Sequence, residues 1–123
     1  MPAKVLVVDD SRTIRQQVAT TLIQAGYDTL EAEDGVQGLS TIGARDDIAL
    51  VICDINMPNM NGIEMLTAVK RQTRNAALPV LMLTTEAKAD LIQQAKRVGA
   101  KGWIVKPFKP DQLAAAVRKI VGR

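Results

Sequence analysis

The chain alternates between two patterns of apolar residues. Val5-Leu6-Val7-Val8, Ala49-Leu50-Val51-Ile52-Cys53 and Pro79-Val80-Leu81-Met82-Leu83 are near-continuous apolar runs of strand length. That is the pattern of strands covered on both faces. Tyr27 to Ala32 and Gly102 to Lys106 are more mixed, as edge strands are. Between these runs the apolar residues fall at helical spacing. Ile14, Val18, Leu22 and Ala25 mark a first helix, with Ser11 placed to cap it and Gly26 just past its end. Asp34 to Ala44 makes the poorest helix, because Gly35, Gly38 and Gly43 lower its propensity. Ile63, Leu66 and Val69 mark a third, Leu91, Ala95 and Val98 a fourth closed by Gly99, and Leu113, Val117 and Ile120 a fifth.

Strand and helix thus alternate five times with short connections, which predicts an α/β fold with a parallel sheet and helices on both faces. Right-handed crossovers restrict the topology. With the three apolar runs central and the two mixed runs at the edges, the doubly wound, flavodoxin-like order 2-1-3-4-5 fits. Ligands of such sheets sit beyond the C-terminal ends of strands 1 and 3.

The composition narrows the classes of function. At 123 residues and 47% hydrophobic, the expectation is one folded domain over residues 1–123, with no output domain. A lone cysteine, Cys53, excludes an intramolecular disulfide framework and fits a reducing compartment. No run approaches the roughly 20 apolar residues of a membrane span. Met1-Pro2-Ala3-Lys4-Val5 has none of the regions of a secretory signal. The expectation is a cytoplasmic protein without membrane association. A net charge of +3 raises the question of nucleic acid. Yet the basic residues (Arg12/Arg15, Lys70/Arg71/Arg74, Lys96/Arg97/Lys101, Arg118/Lys119) are spread over several helices, and Tyr27, Trp103 and Phe108 are the only aromatics to stack on bases. They read as solvated helix faces, without a nucleic-acid partner.

The chemistry lies where the apolar runs stop. Strand 1 ends in Asp9-Asp10, strand 3 in Asp54, strand 4 in Thr84-Thr85-Glu86 and strand 5 in Lys106-Pro107. Each residue alone has an ordinary explanation. Asp10 could cap a helix, Asp54 opens the turn-forming stretch Asn56-Met57-Pro58-Asn59-Met60-Asn61-Gly62, Thr84 suits a strand, and Lys106 alone says little. Their convergence on one sheet edge is harder to dismiss. Three neighbouring carboxylates repel, and a hard divalent cation such as Mg²⁺ relieves that conflict. A cation with open positions beside a carboxylate can receive a phosphoryl group. Lys106 supplies a compact positive charge and Thr84 a hydroxyl donor.

Four stretches carry a family resemblance: Val7-Val8-Asp9-Asp10-Ser11, Cys53-Asp54-Ile55-Asn56-Met57-Pro58, Leu83-Thr84-Thr85-Glu86-Ala87-Lys88 and Gly102-Trp103-Ile104-Val105-Lys106-Pro107-Phe108. In this order, from end to end, they resemble the receiver domain of two-component response regulators, most closely the single-domain chemotaxis regulators of the CheY type. CheY is itself a standard example of the 2-1-3-4-5 order, so order and resemblance are not independent. The resemblance implies Asp54 as phosphoacceptor, with Asp10, Asp54 and the backbone carbonyl of Asn56 on Mg²⁺ and Asp9 acting directly or through water. It implies Thr84 as the hydroxyl that moves toward the phosphoryl group, Lys106 as its counter-charge, and a cis Lys106-Pro107 peptide. In the family this chain resembles, the positions of Asn56 and Glu86 tune hydrolysis.

The implied donor is a phosphohistidine on a sensor histidine kinase; this chain has no histidine and cannot be that donor. The implied output is a switched surface on helix 4, strand 5 and helix 5, with Lys88, Leu91, Trp103 and Lys109 meeting a target protein such as a motor or motility component. In relatives the Trp103 position is usually Tyr or Phe. A phosphatase is a further partner of such proteins, and a monomer is the expected state. A stand-alone phosphorelay intermediate or phosphate sink is the alternative within this class. Two rivals lie outside it. An aspartyl-phosphate phosphohydrolase places Asp-x-Asp-x-Thr after its first strand, where this chain has Asp9-Asp10-Ser11. A flavodoxin-like cofactor binder needs a hydroxyl- and Gly-rich phosphate loop, where Asp9-Asp10 has the wrong charge for a phosphate unless a metal intervenes, and aromatics that are nearly absent here. The protein is expected to be a signalling switch rather than an enzyme acting on a separate substrate.

Overall fold

A computed structural model describes residues 2–122; Met1 and Arg123, the ends named in the sequence, lie outside the described residues. The order of elements is β1 (Lys4–Val8), α1 (Arg12–Gln24), β2 (Asp28–Ala32), α2 (Gly35–Ala44), β3 (Ile48–Cys53), α3 (Gly62–Arg71), β4 (Val80–Thr84), α4 (Ala89–Val98), β5 (Gly102–Val105) and α5 (Pro110–Val121). A short 3-10 turn, Thr73–Asn75, follows α3 and has no apolar periodicity to announce it. The five strands are all parallel, in the order β2-β1-β3-β4-β5. The mixed runs are the edges, as expected.

Successive strand side chains point to opposite faces, so each apolar run feeds two cores. Leu6, Val8, Val51, Cys53, Val80 and Met82 pack with Ile42 of α2, Met65, Leu66 and Val69 of α3, and Ala95 of α4. Val5, Val7, Leu50, Ile52, Leu81 and Leu83 pack with Val18 and Leu22 of α1 and Leu113 and Val117 of α5. Both strand faces are buried, hence the lack of alternation in the sequence.

Two of the three glycines that weaken α2 as a helix, Gly35 and Gly38, are explained by packing. A Cβ on Gly35 would lie 2.8 Å from the carbonyl oxygen of Met60, and one on Gly38 would lie 2.8 Å from Met65 Sδ. The helix gives up propensity to approach α3 closely. Asp34 compensates by capping it, accepting from the Gln37 N–H at 2.8 Å. Gly99 ends α4 at φ 121°, in the region that favours glycine.

Candidate functional site: an acidic cluster at the strand ends

Asp9 stands one residue beyond β1. Its N–H donates to the Ala32 carbonyl at 3.1 Å. Its Oδ1 accepts from the Ser11 N–H at 2.9 Å, which turns the carboxylate over the bend that opens α1. Ser11 caps that helix through Oγ, which accepts from the Ile14 N–H at 3.3 Å. Asp54 stands one residue beyond β3. Its N–H donates to Val8 O at 3.0 Å, and its Oδ1 accepts from the Ile55 N–H at 2.7 Å. Lys106 stands one residue beyond β5, its N–H donating to Thr84 O at 2.9 Å. Each functional side chain is therefore tied by the backbone to the end of a sheet strand.

The side chains meet. Lys106 Nζ donates to Asp9 Oδ2 at 2.6 Å and to Asp54 Oδ2 at 3.0 Å. These three side chains are only 10%, 3% and 8% exposed, respectively. Asp10 is exposed, yet offers a carboxylate oxygen to the same place: Asp9, Asp10 and Asp54 each present one, all within 4.8 Å of one another. The donors are hard oxygens on one open edge, the donor chemistry of Mg²⁺ or Ca²⁺ rather than of a thiophilic metal. Burial pushes the Asp9 carboxyl above its usual range, against the pull of Lys106 and the Ser11 N–H, and the Asp54 charge adds to the rise. Burial draws the Lys106 ammonium down, but its hydrogen bonds to Asp9 and Asp54 outweigh that and leave it raised. The protein thus holds more negative charge here than one lysine balances comfortably.

Thr84 ends β4 fully buried, its Oγ1 accepting from the Glu86 N–H at 3.2 Å. Glu86 is a junction. Its carboxylate accepts from Asn56 Nδ2 at 3.1 Å, and its carbonyl accepts from Trp103 Nε1 at 2.9 Å. Asn56 is exposed; Trp103 is half-buried and packs against the α2–α4 side of the core. Lys88 and Lys109 are exposed at the N-caps of α4 and α5, and Leu91 is half-buried on α4. The Lys106–Pro107 peptide is cis. Cys53 lies on the α2–α4 face, where burial pushes its thiol far up and makes it inert.

The loop from Asp54 to Gly62 is held at both ends. Gly62 N–H donates to Ile55 O at 3.0 Å, and a Cβ on Gly62 would overlap the carbonyl oxygen of Asp54. Midway, Asn59 takes φ 68° and donates to Asp34 Oδ2 at 2.7 Å. The Gln37 N–H, then Asn59, hold the Asp34 carboxyl below its usual range.

Two basic residues are not the solvated charges that the sequence suggests. Lys70 is half-buried and donates to Leu78 O at 2.6 Å and Ala76 O at 3.2 Å, so it ties α3 to the connection before β4. Arg15 is buried, its Nη1 donating to Asp9 O at 2.6 Å and its Nε to Glu31 Oε1 at 3.0 Å. The signal was there: Arg15, Val18, Ala19 and Leu22 form an i, i+3, i+4, i+7 set, all buried.

A family model described as the response regulator receiver domain matches residues 5–118. The chain belongs to that family. Chemotaxis protein CheY1 of Helicobacter pylori is 41% identical over 121 residues, covering 97% of both chains. The CheY homolog of Campylobacter jejuni is 40% identical, covering 97% of this chain and 92% of its own. Among solved structures, chemotaxis protein CheY4 of Vibrio cholerae superposes with a TM-score of 0.91 at 43% identity, covering 98% of this chain and 99% of that one. A CheX–CheY–BeF3–Mg²⁺ complex from Borrelia burgdorferi gives 0.90 at 28% identity, covering 98% of this chain and 90% of that chain. This receiver is thus a CheY-type response regulator domain of two-component signalling, a switch by class. Among the described residues, no helix is long and apolar enough to cross a membrane.

Proposed function

We propose that this receiver accepts a phosphoryl group on Asp54 from a phosphohistidine of a sensor histidine kinase and relays the change to a target protein in chemotaxis or motility control. The observation that carries the proposal is Lys106 Nζ bridging Asp9 and Asp54, with the Asp10 carboxylate in reach of both. Asp9, Asp10, Asp54 and the Asn56 carbonyl would hold Mg²⁺. When bound, that ion neutralises charge on the incoming phosphoryl oxygens.

In the transfer, one Asp54 carboxylate oxygen forms the new bond to phosphorus while the phosphorus–nitrogen bond to the donor imidazole breaks. The imidazole keeps the bonding electrons. Lys106 donates to a phosphoryl oxygen in place of the Asp54 oxygen it now holds, and Thr84 Oγ1 donates to another, releasing the Glu86 N–H. Water later attacks the phosphorus and restores the carboxylate, with Asn56 and Glu86 tuning the rate from the rim. The Glu86–Trp103 hydrogen bond supports a path from Thr84 to β5. The proposed output surface is α4, β5 and α5, with Lys88, Leu91, Trp103 and Lys109 as contacts. The domain would act in the cytoplasm, as a monomer.

The experiment is intact mass after incubation with acetyl phosphate and Mg²⁺. One added phosphate is expected, lost with a chelator and in Asp54→Asn. Equal labelling of that variant would refute the assignment. A stoichiometric product also separates this function from a phosphohydrolase, which would turn over p-nitrophenyl phosphate repeatedly.

A further inference from the structure

The described residues contain five buried polar or charged side chains, Asp9, Arg15, Asp34, Asp54 and Thr84, and Arg15 is the cation among them. It lies 7% exposed on α1, facing the sheet rather than solvent. A buried guanidinium is expensive unless its donors are used. Here they reach two strands: Nη1 donates to the Asp9 carbonyl at 2.6 Å and Nε to Glu31 Oε1 of β2 at 3.0 Å. The pairing of β1 with its neighbours ends at Val8, so the Asp9 carbonyl lies past the last ladder pair. It is the peptide oxygen between Asp9 and Asp10, the two residues whose carboxylates must aim at one point.

We propose that Arg15 is a positioning residue for the cation site, fixing the Asp9–Asp10 peptide against β2 so that both carboxylates converge with Asp54. It touches no reacting atom. Its fork is rigid and planar, which suits it to hold two acceptors at a fixed separation. Groups behind a metal ligand typically alter affinity 10–100-fold when removed. The inference rests on the Mg²⁺ site proposed above.

Charge and position predict opposite signs here. Coulomb's law alone says that deleting a cation beside a metal site tightens metal binding. Loss of positioning weakens it, and weakens Mg²⁺ more than Ca²⁺, because Mg²⁺ demands near-ideal octahedral geometry while Ca²⁺ accepts irregular shells. The test is calorimetric titration of the metal-free protein with Mg²⁺ and separately with Ca²⁺, for wild type, Arg15→Met and Arg15→Lys, with thermal melts to establish folding. Arg15→Met is expected to lose about tenfold or more in Mg²⁺ affinity and less in Ca²⁺ affinity. Arg15→Lys, which keeps the charge and can reach one acceptor, falls between it and wild type. Unchanged or tighter Mg²⁺ binding by Arg15→Met, or equal losses for both ions, overturns the inference. Should Arg15→Met not fold, Arg15→Lys decides: a severalfold loss confined mainly to Mg²⁺ supports positioning, and wild-type affinity overturns it. Failure of the wild type to bind either ion would instead overturn the cation site itself, and this inference with it.

Discussion

Lys106 lies between two carboxylates, and its proton is held more tightly than that of an exposed lysine. The sign of the resulting pH dependence follows from linkage. A lysine raised in the folded state contributes stability that is fully present below its unfolded value, near 10.5, and is lost as pH rises through the folded value. In metal-free buffer, the urea midpoint of the wild type should therefore fall more steeply above pH ~10.5 than that of Lys106→Met. Parallel curves would show that the bridge contributes nothing. Asp9, Asp10, Asp54 and Lys106 were legible in the sequence because each interrupts or follows an apolar strand at one sheet edge. Arg15 was harder to see. A charge on an otherwise apolar helix stripe resembles a solvated one until the neighbouring strand supplies the acceptors, and those lie 6 and 16 residues away. The Glu86 junction was equally hidden, since its partners Asn56 and Trp103 lie 30 and 17 residues distant.

At the scale of elements, close approach decides what propensity alone does not. The α2 helix forms despite Gly35 and Gly38 because a larger residue at either would strike Met60 or Met65. Gly62, the first residue of α3, is more sharply constrained by the Asp54 carbonyl. Gly62→Ala should destabilise the domain by about 1–3 kcal/mol through overpacking, measured by denaturant unfolding. Gly43, whose Cβ would meet nothing, serves as the control: Gly43→Ala should leave stability unchanged or raise it. Similar losses at both positions would contradict this account of the glycines. The strands and the five helices were legible from apolar period and from Ser11, Gly26 and Gly99. The 3-10 turn Thr73–Asn75 was not, because it is too short to show a period.

At the scale of the whole molecule, the 2-1-3-4-5 order brings the ends of β1 and β3 together and β5 close enough for one lysine to span them. The continuously apolar and mixed runs marked the edge strands and fit that order, which the family resemblance also carries. The switch has a built-in reporter. Trp103 is the sole tryptophan, and its indole N–H holds the carbonyl of Glu86, whose N–H in turn donates to Thr84. Adding beryllofluoride with Mg²⁺ should therefore change tryptophan emission in the wild type and leave Asp54→Asn unchanged. An unresponsive wild type that still binds beryllofluoride would separate Trp103 from the switch. The central claim is that Asp54 itself becomes the acyl phosphate. Its most direct test is borohydride reduction of protein treated with acetyl phosphate and Mg²⁺, followed by peptide mass spectrometry. Homoserine at position 54 is the predicted result, and reduction at Asp9, Asp10 or any other carboxylate, with Asp54 intact, would contradict it.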